Sequence, residues 1–453
     1  MSTPRSSSTS RLTGRLPAPI RRRLDAVGEV SKMLVAGGFS TDRLASAPSI
    51  EDIRTLARKR LPKMAFDYVD GGADAENTLR ANVRDLAAVT FRARSMRDVS
   101  TQDLGTTLLG ERLTSPMVCA PTGLLRIAGG DGELSAVRAA GRAGLPFTIS
   151  TAASWSIEEI AAHATGPLWF QLYMWRSKDV ITQLVDRAEA VGCKALVVTI
   201  DVAVNGKRSR DHRNGMSIPP KVTAANAAGV ARHPSWFLGL LDGPPIGFRN
   251  LLGIAEGSSA MSHQEYVNTE LSNLKASWED VAWLRSRWSG PLVVKGVTSV
   301  ADALDAVRVG ADAVWVSNHG GRQLDSQPST ISVLPRIAEA VGGRAEIIFD
   351  SGIRHGSDIA KAMAMGADAV GIGRPWVYGL SAAGERGAAR VAELLTTELC
   401  ETLILLGRRS LDELDRSAVR YPAEWDEPEP ADLVVPGPPL TATPDTREDV
   451  LQA

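Results

Sequence analysis

Ala313-Val314-Trp315-Val316-Ser317-Asn318-His319-Gly320-Gly321-Arg322-Gln323-Leu324-Asp325 is the stretch on which the reading of this chain turns. Its first four residues form an apolar run, rich in β-branched and aromatic side chains, that suits a strand buried on both faces of a parallel sheet. The run gives way to a polar, glycine-containing turn, so His319 and Arg322 arrive together at the strand's C-terminal end. Imidazole is the side chain best suited to exchange a proton near neutral pH. Guanidinium is a fixed cation whose planar fork matches a carboxylate. A base beside an anion clamp is what a site needs to take a proton or hydride from a carbon next to a carboxylate.

Comparable runs lie on both sides of this one. With this one, Ala313–His319, they make eight: Met117–Ala120, Pro146–Ser150, Leu168–Tyr173, Ala195–Asp201, Leu292–Gly296, Glu346–Gly352 and Ala369–Arg374 are the others. Helical patterns such as Gly132–Ala143, Lys178–Val191, Val300–Val309 and Ser357–Met365 join most of them. Eight strands alternating with helices predict an α/β chain folded as a single (β/α)8 TIM barrel, with its chemistry at the C-terminal ends of the strands. An N-terminal helical extension and a long insert after strand 4 complete the expected architecture. Gly-Ala-Asp-Ala-Val occurs at 310–314 and again at 366–370, where each glycine can close a helix and release the chain into a strand. That is a local solution used twice and establishes no larger repeat.

Polar residues fall where this architecture places a site. Ser150, Gln171, Tyr173, Thr199, Asp201, Lys295, His319, Asp350 and Arg374 lie at or just beyond strand ends. Any one alone reads as a satisfied buried polar group; together, spread over seven strands, they read as a common polar mouth. The last two strands end in Asp350-Ser351-Gly352-Ile353-Arg354 and Gly373-Arg374-Pro375. Glycines there let backbone amides approach a phosphate and two arginines neutralise it, at the usual phosphate end of such barrels.

Composition narrows the remaining classes. At 453 residues, 44% hydrophobic and 23% charged, the chain can bury a sizeable core. A net charge of -1 gives no footprint for nucleic acid. Cys119, Cys193 and Cys400 form neither a disulfide framework nor a metal-ligand spacing, so no metal is expected, and Cys119 in an apolar run and Cys193 after the helix-ending Gly192 are read as structural. No apolar run reaches the ~18 residues of a membrane span, and the arginine-rich start lacks the apolar segment of a secretory signal. The expected layout is a basic, disordered extension at 1–48, a barrel at 49–420 with a variable insert at 214–276, and a Pro- and acid-rich tail at 421–453.

The chain resembles the FMN-dependent α-hydroxy acid oxidases and dehydrogenases from about Ser49 to Arg420. The likeness is carried by Leu61-Pro62-Lys63-Met64-Ala65-Phe66-Asp67-Tyr68, Ala120-Pro121-Thr122-Gly123, Phe170-Gln171-Leu172-Tyr173, Val293-Val294-Lys295-Gly296, the His319 motif and the Asp350 region. Asp201-Val202-Ala203-Val204-Asn205-Gly206 and His233-Pro234-Ser235-Trp236 are similar to the bacterial L-lactate dehydrogenase and (S)-mandelate dehydrogenase branches, which use a quinone or cytochrome. The resemblance implies FMN as cofactor and a small 2-hydroxy acid as substrate. It makes His319 the catalytic base, with Asp201 holding its imidazole. Arg322 and Arg208 would bind the carboxylate, helped by Tyr68, while Tyr173 donates to the substrate. Lys295 would stand at the pyrimidine edge of the flavin. Pro121, Thr122, Gly123, Ser150, Gln171, Thr199 and Ser317 would contact the ring system. Asp350 and Ser351 would serve the ribityl chain, and Gly352, Arg354, Gly373 and Arg374 the phosphate. The other five histidines are read as ordinary surface or packing residues without fitted partners.

Departures from the family pattern bear on specificity. Gly123 stands where many of the oxidases carry alanine, which favours a dehydrogenase passing electrons to a quinone or another acceptor over a peroxide-forming oxidase. Ala152 opens space where relatives carry larger residues, and Trp155 could refill it, leaving lactate and a bulkier or aromatic acid both open. The insert carries Trp236–Leu241 and Ile246–Leu252 with Lys221, Arg232 and Arg249 nearby. It is expected to act as a lid or, as the mandelate dehydrogenase resemblance implies, as a peripheral membrane contact. About 48 residues before the barrel are too few for a fused cytochrome domain, so electrons would leave directly from the flavin. The resemblance further implies a homo-oligomer, commonly a tetramer, in the cytoplasm or at the inner face of the cell membrane. A flavin-dependent isomerase of phosphorylated substrates and a non-catalytic flavin binder are the remaining rivals; neither needs His319 paired with Arg322 and Arg208.

Overall fold

The apolar runs assemble into a closed parallel barrel. The computed structural model describes residues 42–217, 220, 223, 226–252 and 273–428. The expectations for the basic extension up to residue 41, for Lys221 and the rest of the insert, and for the tail beyond 428 lie outside these residues. Two units divide the chain, Met1–Ala47 and Pro48–Ala453.

We number the barrel strands β1 (Met117–Cys119), β2 (Phe147–Ser150), β3 (Leu168–Tyr173), β4 (Ala195–Thr199), β5 (Leu292–Val297), β6 (Ala313–Val316), β7 (Glu346–Phe349) and β8 (Ala369–Ile372). Each pairs in parallel with the next, and β8 pairs with β1 to close the ring. Helices Glu133–Arg142, Ile157–Ala161, Lys178–Ala190, Trp278–Arg287, Val300–Arg308, Thr330–Val341, Gly356–Ala364 and Arg374–Ala383 provide the crossovers and the return after β8. Among the described residues, three helices, Ile50–Arg60, Lys63–Asp70 and Asn77–Ala88, precede the barrel, and the segment after β4 carries Ser209–Asn214, Ala227–Ala231 and Pro234–Leu241. The expected (β/α)8 class is what is found.

Strand residues are buried on both faces, which explains their unbroken apolar character. Val118, Trp169, Val197, Val293, Trp315, Ile348 and Ala369 share one core cluster. Leu108 and Leu113 join that cluster from the hairpin Thr106–Leu108/Glu111–Leu113. Leu109 N donates to Glu346 at the start of β7 (2.6 Å), so the hairpin closes the N-terminal end of the barrel. Chemistry is left to the opposite end.

Most strands are shorter than their apolar runs suggest. Ala120, Asp201, His319, Gly352 and Arg374 stand beyond the last ladder residues, in loops or at a helix start. At His319 and Ser351 the reason is conformational: both take left-handed backbone (φ 56 and 81), which no strand accommodates. β5 instead runs on to Val297, with a register irregularity between Lys295 and Val297 at Gly296. Gly296 has φ +104, and a Cβ there would lie 2.8 Å from Asp201 Cβ. The bulge re-aims the strand end and lets Asp201 come close.

Candidate active site

A cavity of about 220 Å3 sits at the C-terminal ends of the strands. Tyr68, Pro121, Thr122, Gly123, Gln171, Tyr173, Thr199, Arg208, Lys295, His319, Arg322, Asp350, Ser351, Gly352, Arg354, Gly373 and Arg374 all line it. The other three expected residues, Ser150, Asp201 and Ser317, stand one layer behind. Ser150 Oγ donates to Gln171 Oε1 (3.1 Å), Asp201 accepts from the His319 ring, and Ser317 Oγ accepts from Lys295 Nζ (2.7 Å). Each therefore orients a lining side chain.

His319 is presented by a tight turn. His319, Gly320 and Gly321 are all left-handed, and a Cβ on Gly321 would lie 2.5 Å from Leu79 N. Such a run costs little only where glycine follows. The turn lifts the ring off β6 until Nδ1 lies 3.0 and 3.2 Å from the two Asp201 oxygens. Burial opposes ionisation of Asp201, yet His319 and Lys295 together hold its carboxyl below the ordinary range. An ionised Asp201 accepts from Nδ1–H and leaves Nε2 as the basic nitrogen.

On the other side of the cavity two guanidiniums face one ring. Arg322 Cζ is 5.1 Å and Arg208 Cζ 5.7 Å from the centroid of Tyr68. Arg322 Nη1 donates to Tyr68 O (2.7 Å) and Gly71 O (3.2 Å), while Arg208 Nε donates to Asp211 Oδ2 (2.8 Å). Burial first, then the charge of Arg208, lowers the pKa of Arg322. Two half-buried cations against one ring are relieved by a bound anion, and the aromatic face keeps that anion's position defined. Burial, then Asp201, pushes the Tyr173 phenol upward, so it stays a donor.

Lys295 Nζ lies 3.1 Å from Asp350 Oδ2 and 5.3 Å from the centre of the Trp315 ring. Asp350 Oδ1 accepts from Ser351 Oγ (2.7 Å), whose oxygen accepts from Gly320 N (3.1 Å). Gln171 Nε2 donates to Thr199 Oγ1 (3.0 Å), extending the polar line across the ends of β2 to β4. The guanidinium of Arg374 donates to Gly320 O (2.8 Å), Gly71 O (2.7 Å) and Val69 O (3.2 Å), and burial and Arg322 push its pKa down to about 9. A Cβ on Gly373 would find only Ala120 Cβ at 4.0 Å, so the start of the β8 loop opens onto free space. A polar line, a buried lysine and a glycine-lined cationic end fit FMN: its ring edge, its charge and its phosphate.

Several cavity residues carried no readable signal. Leu124, Leu125, Ile127 and Ala128 line it as apolar side chains, and Val202, Asn205 and Phe248, quoted above only within longer motifs, line it as well. Gln323, inside the opening motif, ties the β4 and β6 loops: Nε2 donates to Asp201 O (3.2 Å) and Val204 O (3.1 Å), and Oε1 accepts from Gly206 N (3.1 Å). Trp155 does not refill the space over Ala152. Its indole donates to Asp131 O (3.0 Å), outside the cavity, because that carbonyl satisfies its N–H.

The histidines also need correction. His355 Nδ1 lies 3.4 Å from Glu398, and His163 and His233 bond the Glu159 and Gly229 carbonyls (2.9 and 2.7 Å). These side chains do have fitted partners, supplied by their own helical turn or by helix Glu385–Leu406. Cys119 and Cys193 are buried, with thiols pushed up by burial, as structural cysteines are.

Fold and site define a barrel that sets two guanidiniums and a carboxylate-backed imidazole around one cavity. A model of the FMN-dependent dehydrogenase family matches residues 57–421, and the chain belongs to that family. The L-lactate dehydrogenase of Chromohalobacter salexigens is 42% identical over 372 residues, covering 80% of this chain and 93% of that protein. Among solved structures, the monotopic membrane protein (S)-mandelate dehydrogenase superposes with TM-score 0.78 at 38% identity, over 83% of this chain and 99% of that one. A mandelate oxidase does so with TM-score 0.68 at 35% identity, over 82% and 98%. The chain is thus an FMN-dependent oxidoreductase acting on 2-hydroxy acids.

Proposed function

We propose that this enzyme oxidises an (S)-2-hydroxy acid, L-lactate foremost, to the 2-oxo acid and delivers the electrons to a quinone or another non-oxygen acceptor. One observation carries the reading: His319 backed by Asp201 at 3.0 Å faces the same cavity as Arg322 and Arg208 stacked on Tyr68. FMN, when bound, supplies the two-electron acceptor. Arg322 and Arg208 bind the substrate carboxylate and, with Tyr68, fix its orientation. Tyr173 donates a hydrogen bond to the substrate hydroxyl or carboxylate. His319 Nε2 takes a proton from the substrate, and Asp201 stabilises the imidazolium that results. The same base serves whether carbon gives up a proton or a hydride.

Lys295 would hold the pyrimidine edge of FMN, where a cation offsets developing negative charge. The backbone at Pro121, Thr122 and Gly123, with Gln171 and Thr199, would hold the ring system, and Ser150 and Ser317 would act on it through Gln171 and Lys295. Asp350 and Ser351 serve the ribityl chain, and Gly352, Arg354, Gly373 and Arg374 the phosphate. Arg374 opens a helix, so its backbone is suited to the phosphate while its guanidinium braces the carbonyls around it.

Gly123 supports the non-oxygen acceptor on the family pattern. An added Cβ there would lie 2.8 Å from Ala152 Cβ and 2.9 Å from its carbonyl oxygen, so this loop has no room for the alanine of the oxidases without a shift. A second reading, a bulkier or aromatic acid, is favoured by small Ala152 in the cavity wall with Trp155 turned away. Exposed Phe237, Leu238, Leu241 and Leu252 on the insert support peripheral membrane contact, and no helix among the described residues is long and apolar enough to cross a membrane. A homo-oligomer, commonly a tetramer in this family, completes the proposal.

The test is an anaerobic spectrum before and after (S)-lactate and then (S)-mandelate. Bleaching by lactate at the lower concentration supports the first reading, and bleaching by mandelate alone the second. Flavin bands untouched by either acid would remove both substrates. Re-oxidation by a soluble quinone far faster than by dioxygen is expected; the reverse order would make the enzyme an oxidase.

A further inference from the structure

We propose that Arg126 is a positioning residue that makes the surface helix Pro234–Leu241 and the Leu124–Ala128 wall of the cavity one mechanical unit. The inference rests on the reading of that cavity as the FMN and hydroxy acid site.

Arg126 lies in the short 3-10 turn Leu125–Ala128 that follows the β1 loop, and its side chain is fully buried. Its own turn is closed by Nε donating to Gly130 O (2.8 Å). Nη2 reaches out of the barrel, donating to Leu240 O (2.9 Å) and Gly239 O (3.3 Å). Those are among the last four carbonyls of helix Pro234–Leu241, which have no partner within the helix and sit at its negative end. Arg126 is therefore the C-terminal cap of a helix that belongs to the insert. Gly243 packs flat on the guanidinium: a Cβ there would lie 2.9 Å from both Cζ and Nη2. Gly130 and Gly239 meet backbone to backbone, and Trp236 Nε1 donates to Ile127 O (2.8 Å).

The same turn is held to the barrel from below. Buried Glu133 accepts from Leu125 N (3.0 Å) and Ser154 N (2.8 Å), locking the β1 and β2 loops together. The opposite side of the turn is the cavity wall itself, Leu124, Leu125, Ile127 and Ala128. Movement of the helix is thus transmitted to the wall through Arg126, alongside the Trp236–Ile127 bond and the Gly130–Gly239 contact. The catalytic pair stands elsewhere, beyond β4 and β6. Loosening the wall weakens substrate binding and leaves the chemical step largely intact, the signature of lost uniform binding.

The experiment uses FMN-loaded full-length enzyme, wild type against Arg126→Met, Arg126→Lys and Gly243→Ala. Gly243→Ala crowds the guanidinium from the surface without touching the barrel, so it remains informative if Arg126→Met folds poorly. Hydrogen exchange is expected to quicken in both 234–241 and 124–128, and to stay unchanged at 249–251, which Asn250 pins separately through Ser150 O and Thr151 O (3.3 Å each). In anaerobic stopped flow, the half-saturating hydroxy acid concentration is expected to rise about tenfold in Arg126→Met and Gly243→Ala, with limiting flavin reduction within about threefold of wild type. Arg126→Lys, still a cation at the helix end, recovers most of the loss. Faster exchange confined to 234–241, or unchanged saturation in both disruptive variants, would overturn the proposal. A wild type that no hydroxy acid reduces would refute the functional reading, while the exchange arm would still decide the coupling.

Discussion

His319 combines a strained backbone with a fixed side chain. Its left-handed φ of 56 is tolerated because Gly320 and Gly321 continue the turn, and the 3.0 Å contact with Asp201 repays the constraint by setting the ring's tautomer. Replacing His319 with Gln keeps a polar side chain of similar reach but removes the base. His319→Gln is expected to retain FMN and to lose about 10^2–10^4-fold in anaerobic flavin reduction by substrate. Stopped-flow absorbance measures this directly, and reduction near the wild-type rate would take His319 out of the mechanism. At this scale the residue types were legible: a histidine and an arginine after a buried strand have few other reasons to be paired. What could not be read was orientation, because the guanidinium of Arg374 turns to three backbone carbonyls that come from two distant segments of the chain.

At the scale of elements, the bulge in β5 governs whether Asp201 reaches His319. Gly296 supplies a positive φ and an empty Cβ position at the point where Asp201 passes. Gly296→Ala meets both obstacles, so it is expected to destabilise the fold by about 1–3 kcal/mol and to slow flavin reduction. Denaturant unfolding and reduction kinetics on the same preparation check it; wild-type values in both would show that β5 can relax. The sequence pattern located all eight strands, since burial on both faces demands continuous apolar residues. It overran most of their ends, because a loop residue such as Asp201 and a strand residue differ in backbone angle and pairing, neither of which side-chain chemistry specifies.

The whole molecule sets the site between a sealed end and an insert. Hairpin Thr106–Leu108/Glu111–Leu113 fills one end of the barrel, and the insert contributes Phe248 to the wall of the cavity at the other. The outer side of the insert exposes Phe237, Leu238 and Leu241. Were this surface to meet a membrane, wild-type enzyme would co-sediment with anionic phospholipid vesicles and a triple substitution of these residues to Ser would not. Enzyme remaining wholly in the supernatant with vesicles present would sink the membrane contact.

By itself the sequence determined the barrel and the strand ends that carry chemistry, because alternating buried strands and a paired base and anion clamp are properties of residue type and spacing; the family followed from the likeness of its motifs. Only the tertiary structure decided which of those residues face the cavity and which stand behind it. Ser150 and Ser317 were expected to contact the ring system, and only the fold set them behind Gln171 and Lys295, while Asp201 lies against His319 as the resemblance implied. The same holds for Trp155, for Gln323 and for Arg126 beneath the insert helix. Their partners lie in other loops, and a hydrogen bond between loops depends on where the closed barrel sets each strand end in space.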